Sequence, residues 1–155
     1  MQTQAHRDTI FLEDAEILSQ EALPGQQYLL RLQAPQCAAR ALPGSFIHLT
    51  CDPALPMRRP MSIMRASAVE GWVDCLYKVV GEGSRLLAHR PRGTVISSLG
   101  PIGRPFVLHP QQPRPLLIGG GVGIPPMVFL ADTLRHDQRA HWKPLVLMGS
   151  EVPFP

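Results

Sequence analysis

Apolar and polar residues alternate through short stretches of the first hundred positions. In QYLLRLQ (27–33), Tyr28, Leu30 and Leu32 fall on one side and Arg31 and Gln33 on the other. In FIHLTC (46–51), Ile47, Leu49 and Cys51 oppose His48 and Thr50. In WVDCLYKVV (72–80), Val73, Cys75, Tyr77 and Val79 oppose Asp74 and Lys78. A period of two is that of antiparallel strands with one face in the core and one in solvent. Turn signals separate the stretches: LPG at 23–25 and 42–44, EG at 70–71 and PRG at 91–93. Short strands at roughly ten-residue spacing predict a small sandwich or barrel. One helix interrupts them, with Gly83–Ser84 as its cap, Leu86 and Leu87 as its apolar patch and Pro91 as its stop.

The pattern changes after Pro115. PLLIG is a continuous apolar run, as expected of a parallel strand buried on both faces. From Pro125 the spacing becomes helical, with Met127, Leu130, Ala131 and Leu134 on one stripe. Two prolines in the first turn of that helix cost little, because first-turn amides have no helical partner. PLVLMG (144–149) then reads as a second buried strand. Strand, helix, strand is the opening of a doubly wound nucleotide-binding domain. EVPFP ends the sequence before the further strands such a domain needs, so a partial second domain is expected.

Composition narrows the classes. Of the 155 residues, 45% are apolar and 17% charged, with a formal net charge of +3, so a packed core is available and a nucleic-acid footprint is not. The arginines gather at Arg58, Arg59 and Arg65 and again at Arg85, Arg90 and Arg92, which suits local anion binding. Arg90 and Arg92 beside His89 also read simply as a solvated turn. Cys37, Cys51 and Cys75 have no metal or disulfide spacing, and the six histidines none either. The N-terminal MQTQAHRDTIFLEDAE lacks a secretory layout, and the charge-free run 115–131 is broken by glycines and prolines, so a cytoplasmic chain outside the membrane is expected.

Three motifs carry chemistry. In RRPMSIM (58–64), Arg59 suits a bidentate grip on a pyrophosphate, Pro60 stiffens the strand, Met61 packs on a ring and Ser62 bonds a heterocycle edge. A plain edge strand with a solvated arginine explains the same residues. In YKVVGEGSRLL (77–87), a strand ends in Gly-x-Gly-Ser and enters a helix, which brings backbone close to a ligand or is only a capped turn. Gly119, Gly120, Gly121 and Gly123 lie between the apolar strand and the helix, where a dinucleotide's phosphates bind. A tight crossover accounts for one or two of those four glycines.

In this order and spacing the motifs resemble the ferredoxin–NADP reductase-like flavoproteins: RPMS its flavin motif, GEGS its pyrophosphate-facing glycines, and SLGPIGRPF (98–106) the segment closing the flavin barrel. GGGVGIPPM, LMGSEVPF, the RRPMSI form and Pro43–Phe46 are most similar to one branch, the electron-transfer subunits of two-subunit dihydroorotate dehydrogenases. The resemblance implies an antiparallel, Greek-key-like FAD-binding β-barrel over residues 1–108 and, over 115–155, the N-terminal part of an α/β doubly wound NAD-binding domain. It implies electron flow from NADH through FAD and a [2Fe-2S] cluster to the flavin of a partner catalytic subunit in pyrimidine biosynthesis, hence an assembly of more than one chain. By position, Arg59, Pro60, Met61 and Ser62 would hold the flavin and its phosphate, with Lys78, Val79 and Val80 lining it. Gly83 and Ser84 would meet the pyrophosphate, and Gly119, Gly120, Gly121 and Gly123 would meet NAD(H). Hydride transfer to a flavin needs no acid or base, so no catalytic side chain is expected. The four cysteines that hold the family's cluster have no counterpart among these residues. Two other readings stay open: a hydrogenase- or sulfide-linked reductase subunit, and a partner scaffold that binds no cofactor.

Overall fold

A computed structural model of the chain describes residues 9–152. The alternating stretches form strands β1 (Phe11–Leu23), β2 (Gln27–Gln33), β3 (Phe46–Leu49), β4 (Arg59–Ser67), β5 (Trp72–Lys78) and β6 (Val95–Ile102). They close an antiparallel barrel in the order β1-β2-β5-β4-β3-β6, whose non-sequential neighbours give it Greek-key connectivity. The side chains of Leu30, Leu32, Ile47, Leu49, Val73 and Cys75 fill the interior and are fully buried. Each large aliphatic residue so buried contributes about 1.5–3 kcal/mol. The hairpin between β4 and β5 turns at Gly71, where φ is +74° and an added Cβ would come within 2.8 Å of Gln33 Nε2, so glycine is required there.

Asp74 departs from the pattern. It stands on the outer face of β5, yet it is buried rather than solvated. Arg31 on the adjoining strand grips both carboxylate oxygens at 2.7 and 2.8 Å and stacks over the Trp72 ring 3.7 Å from its centroid. Trp72 in turn donates to Glu70 at 2.6 Å. Burial is tolerated because the carboxylate is paired at two points.

Two helices, not one, interrupt the barrel strands: α1 (Pro35–Arg40) and α2 (Glu82–Ala88). The first has no local cap. Its leading amides, at Gln36 and Cys37, donate to the buried carboxylate of Glu13 on β1 at 2.9 and 2.8 Å. The second begins two residues before the expected Gly83–Ser84 cap, with Gly81 at its start and Ser84 inside its first turn. Ser84 Oγ accepts from the Val80 and Gly81 amides and donates to the Gly81 carbonyl, which ties the approach loop to the helix.

Beyond residue 115, β7 (Leu116–Gly120) and β8 (Leu145–Gly149) pair in parallel, joined through a 3-10 turn at Gly121–Gly123 and α3 (Ile124–His136). Leu130 and Leu134 of α3 bury against Leu117, with Met127, Ala131 and Trp142 packed around them. The expectation that both strands are buried on two faces does not hold. Leu116, Ile118, Leu145 and Leu147 are about half exposed or more, because α3 covers one side of the two-stranded sheet and nothing described covers the other. The helix also packs on β4, where Arg65 meets Asp132 at 2.8 Å, so the small sheet is set beside the barrel wall. Among the described residues, no helix is long and apolar enough to cross a membrane.

Candidate functional site

Three segments end at the same place. The strand β4 starts there with Arg59, β5 finishes there with Lys78 and leads through Val80 into the first turn of α2, and β7 ends there in the glycine loop. Between them lies a cleft of about 790 Å³, which is the size that holds a cofactor-sized ligand. Of the residues singled out by sequence, Arg59, Pro60, Met61, Ser62, Lys78, Val80, Ser84, Gly120 and Gly121 line it. Val79, Gly83, Gly119 and Gly123 do not, and each has a different position.

Val79 turns back to the barrel, donating its amide to the Gln26 carbonyl at 2.9 Å. Gly83 lies behind Arg59: an added Cβ would sit 2.9 Å from Arg59 Nε and 3.3 Å from its Cγ. The absent side chain is therefore what lets the Arg59 stem lie along α2. Gly119 is a packing glycine, since an added Cβ would meet the Gly123 carbonyl oxygen and Met148 Sδ, both at 2.9 Å. Around Gly121 there is open space, and its φ of +51° suits a residue without a Cβ. The four glycines thus divide. Gly119 permits the crossover, Gly120 and Gly121 present bare backbone to the cleft, and Gly123 has open space around it outside the lining.

Charge is distributed unevenly among the arginines. Arg58 donates to the Ser97 carbonyl at 3.0 Å and to Ser97 Oγ at 2.9 Å, bracing β6. Arg65 is paired with Asp132. The reading of Arg90 as part of a solvated turn is corrected: it is half-buried, pairs with Asp52 and also donates to the Cys51 carbonyl at 3.4 Å. Arg59 makes one bond, from Nη1 to the Met57 carbonyl at 3.2 Å, and no ion pair among the described residues. Its remaining guanidinium donors have no hydrogen-bond partner among the described residues. Lys78 is held differently, by Glu151 at 2.6 Å across the cleft, and that carboxylate's pKa is pulled below its usual value by the ammonium. The pair is exposed and screened by solvent, so it is a weak tie.

Sequence reasoning did not assign Tyr77, Val122 or the Gly149–Glu151 segment to the site, all of which line the cleft. Tyr77 forms part of its floor and stacks on Tyr28 with centroids 5.6 Å apart. Burial, reinforced by Tyr28, raises its phenol pKa. Val80 and Val122 face the opening from its two walls and are almost fully exposed. The local signal for them was position alone, since each sits inside a motif already noted.

A flat heterocycle with a diphosphate tail fits this arrangement. Met61, Tyr77 and Val80 supply apolar surface, Ser62 a hydroxyl beside it, Arg59 the positive charge, and Gly120 and Gly121 a bare backbone wall opposite. Cysteine ligation does not fit. All three cysteines are buried and free, and no group of three or more His, Cys, Asp or Glu among the described residues could hold a metal ion. Burial raises the pKa of each thiol, that of Cys37 to about 12.

The fold is shared with solved reductases. An NADH-dependent reduced ferredoxin-NADP oxidoreductase superposes with a TM-score of 0.82 at 24% identity, covering 91% of this chain and 50% of that one. A ferredoxin reductase of carbazole 1,9a-dioxygenase superposes at 0.79 with 25% identity, covering 93% and 44%. No protein-family model matches the chain. The electron-transfer subunit of dihydroorotate dehydrogenase B (NAD(+)) from Desulforamulus reducens is 35% identical over 127 residues, which is 79% of this chain and 48% of that protein. The subunit of the same name from Geobacillus kaustophilus is 34% identical over 128 residues, 79% and 49%. By sequence the chain is similar to dihydroorotate dehydrogenase B electron-transfer subunits, about half of whose length it spans, and it has a ferredoxin reductase-like fold.

Proposed function

We propose that this chain binds FAD in the cleft and serves as the flavin-carrying part of an NADH-dependent electron-transfer subunit. The observation that carries the reading is Arg59: a guanidinium without an ion pair, beside a glycine that leaves room for it, at a cofactor-sized cleft. Residues 1–108 are assigned as the flavin domain, of which residues 1–8 lie outside the described residues. Residues 115–155 are assigned as part of the nicotinamide domain, of which Pro153, Phe154 and Pro155 lie outside the described residues.

FAD when bound accepts a hydride from a nicotinamide and releases electrons singly, and the protein orients it and sets its electrostatics. Arg59 neutralises the diphosphate, and Met61 and Tyr77 pack the ring system from the barrel side. Ser62 bonds its polar edge. Gly83 takes part by letting Arg59 approach rather than by touching the ligand, and Ser84 by holding the loop that lines the cleft. Lys78, Val79 and Val80 set the course of that loop. Gly120 and Gly121 face the nicotinamide nucleotide, with Gly119 and Gly123 shaping their turn. No side chain is needed as acid or base. This part of the chain supplies no ligands for a [2Fe-2S] cluster, and no step is routed through one.

The partner that fits the family is a dihydroorotate dehydrogenase catalytic subunit in the cytoplasm, working in pyrimidine biosynthesis. A second reading, a scaffold without cofactor, is favoured by the uncovered apolar face of the β7–β8 sheet. A visible spectrum separates the two. The purified chain should show a flavin band, or take up added FAD, and Arg59→Ala should weaken FAD by about 2–5 kcal/mol if the charge pair is desolvated. A colourless chain that takes up no FAD would establish the scaffold reading instead.

A further inference from the structure

We propose that Gln20 is a positioning residue for the diphosphate end of the cofactor, acting through α2. The idea rests on the FAD reading of the cleft. The strand β1 contains a bulge between Ile17 and Ser19. Ile17 pairs with Leu32 and Gln20 with Leu30, and both leucines are fully buried. An odd separation on one strand therefore meets an even one on the other, and the extra residue reverses the facing of everything after it. Without the bulge Gln20 would pair with Leu29 and point outward. With it, a carboxamide is delivered to the inner face near one end of the barrel.

There Gln20 bonds to two cofactor-facing elements at once. Its Nε2 donates to the carbonyls of Leu87, Ala88 and Arg90 at 3.0, 3.2 and 3.2 Å, where α2 ends. Its Oε1 accepts from the Tyr77 hydroxyl at 3.0 Å. The last carbonyls of a helix lack i+4 partners, although the Leu87 carbonyl also accepts from the Arg90 amide at 3.0 Å, and a helix as short as α2 does not hold its shape or place without tertiary bonds. The far end of this helix is the Gly81–Ser84 turn that walls the cleft, and Gly83 lies against the Arg59 stem with no space for even a methyl group. A shift of α2 by a few tenths of an ångström is therefore felt at Arg59. Among the described residues, Tyr77 is the one cleft-lining residue that Gln20 hydrogen-bonds through its side chain, and its effect on the diphosphate is transmitted through the helix.

The test compares FAD with riboflavin, which has the same ring system and no diphosphate, by fluorescence titration of the full chain and of Gln20→Leu. The expected result is FAD binding weakened roughly tenfold and riboflavin binding weakened clearly less, since Gln20 also holds the Tyr77 hydroxyl on the ring side. Where Gln20→Leu fails to fold, Gln20→Asn, whose shorter side chain falls short of the carbonyls, carries the same comparison. Wild-type FAD affinity in the variants overturns the proposal. So does an equal loss for both flavins, or failure of both variants to fold, each of which marks a purely structural residue. A wild-type chain that binds neither flavin refutes the FAD reading itself, and the role of Gln20 falls with it.

Discussion

Replacing Gly83 with alanine separates binding from folding, because the terms that set stability nearly cancel while the loss of binding has no offset. The new methyl would stand 2.9 Å from Arg59 Nε, 3.3 Å from Cγ and 3.5 Å from Cζ. Ordinary contact begins near 3.5 Å, so the arginine stem must give way by about half an ångström. Arg59 can do so: it is only half-buried and has one bond to break, a 3.2 Å contact with the Met57 carbonyl. Forcing the side chain off its rotamer costs about 0.5–1.5 kcal/mol. Against this, alanine is favoured over glycine inside a helix by up to about 1 kcal/mol, with less gained in the first turn. The fold therefore stays within about 1 kcal/mol of the parent, which is a change in Tm of about 4 °C or less for a chain of this length. The ligand is affected more. A guanidinium displaced from its seat keeps its charge and loses its geometry, so FAD affinity should fall about tenfold, or about 1.4 kcal/mol. Calorimetric titration with FAD beside a melt of the ligand-free chain measures both. An unchanged FAD affinity would refute the placement of Arg59, and a melt lowered by much more than 4 °C with binding intact would make Gly83 a packing glycine only.

Arg31→Ala strands the buried Asp74 carboxylate and should cost about 3 kcal/mol, more than Asp74→Ala, which leaves behind a charge with access to water; denaturant melts giving the reverse order would contradict the account of that pair. Stability should also fall in alkali. Burial, with Glu13 nearby, raises the Cys37 pKa from 9.0 to about 12, and burial likewise raises Cys75 and Tyr77. The folded state holds these protons more tightly than the unfolded one, so their contribution is complete below about pH 9 and is lost as pH rises toward the folded values, by about 1.4 kcal/mol per pH unit for each thiol. Urea melts between pH 8 and 11 should show this slope reduced in Cys37→Ala, and an identical slope in the variant would remove Cys37 from the explanation.

The strands were legible wherever their partners made one face wet and one dry. The stretches 27–33, 46–51 and 72–80 announced their inward residues, and Leu30, Leu32, Ile47, Leu49, Val73 and Cys75 are where the alternation put them. The first strand resisted the same reading because its period breaks at the bulge after Ile17: Ala15 and Ile17 face in on odd numbers, and Gln20 on an even one. The helix α1 was illegible for a related reason. Its cap is a carboxylate more than twenty positions upstream, so the local signal that marks a helix start is missing at Ala34. Asp74 looked like a solvent residue because its type is usually solvated, and only the opposite strand reveals the arginine that allows it to be buried. Burial of β7 and β8 was overread because a continuous apolar run shows what a strand can tolerate on each face, not what stands against it.

The site shows the same division more sharply. Arg59, Ser62 and the Gly-x-Gly-Ser turn were found because each carries its chemistry in a short motif, and the fold brings those motifs to one cleft. What the motifs could not show is which glycine touches the ligand. Four glycines in five positions read as one phosphate cradle, yet Gly119 is fixed by packing against the Gly123 carbonyl and Met148, while Gly120 and Gly121 are the ones open to the cleft. Gly83 likewise lies against the Arg59 stem and does not line the cleft. In both cases the residue type follows from a distance to a segment remote in sequence, and a motif records the outcome of that distance without its cause. The same holds for the α2 wall, which Gln20 holds from 67 to 70 residues away. A cleft assembled from recognisable motifs thus depends for its geometry on residues that no motif contains. Substitution at Gln20, outside every motif, therefore probes the same site as substitution at Arg59 or Gly83 inside one.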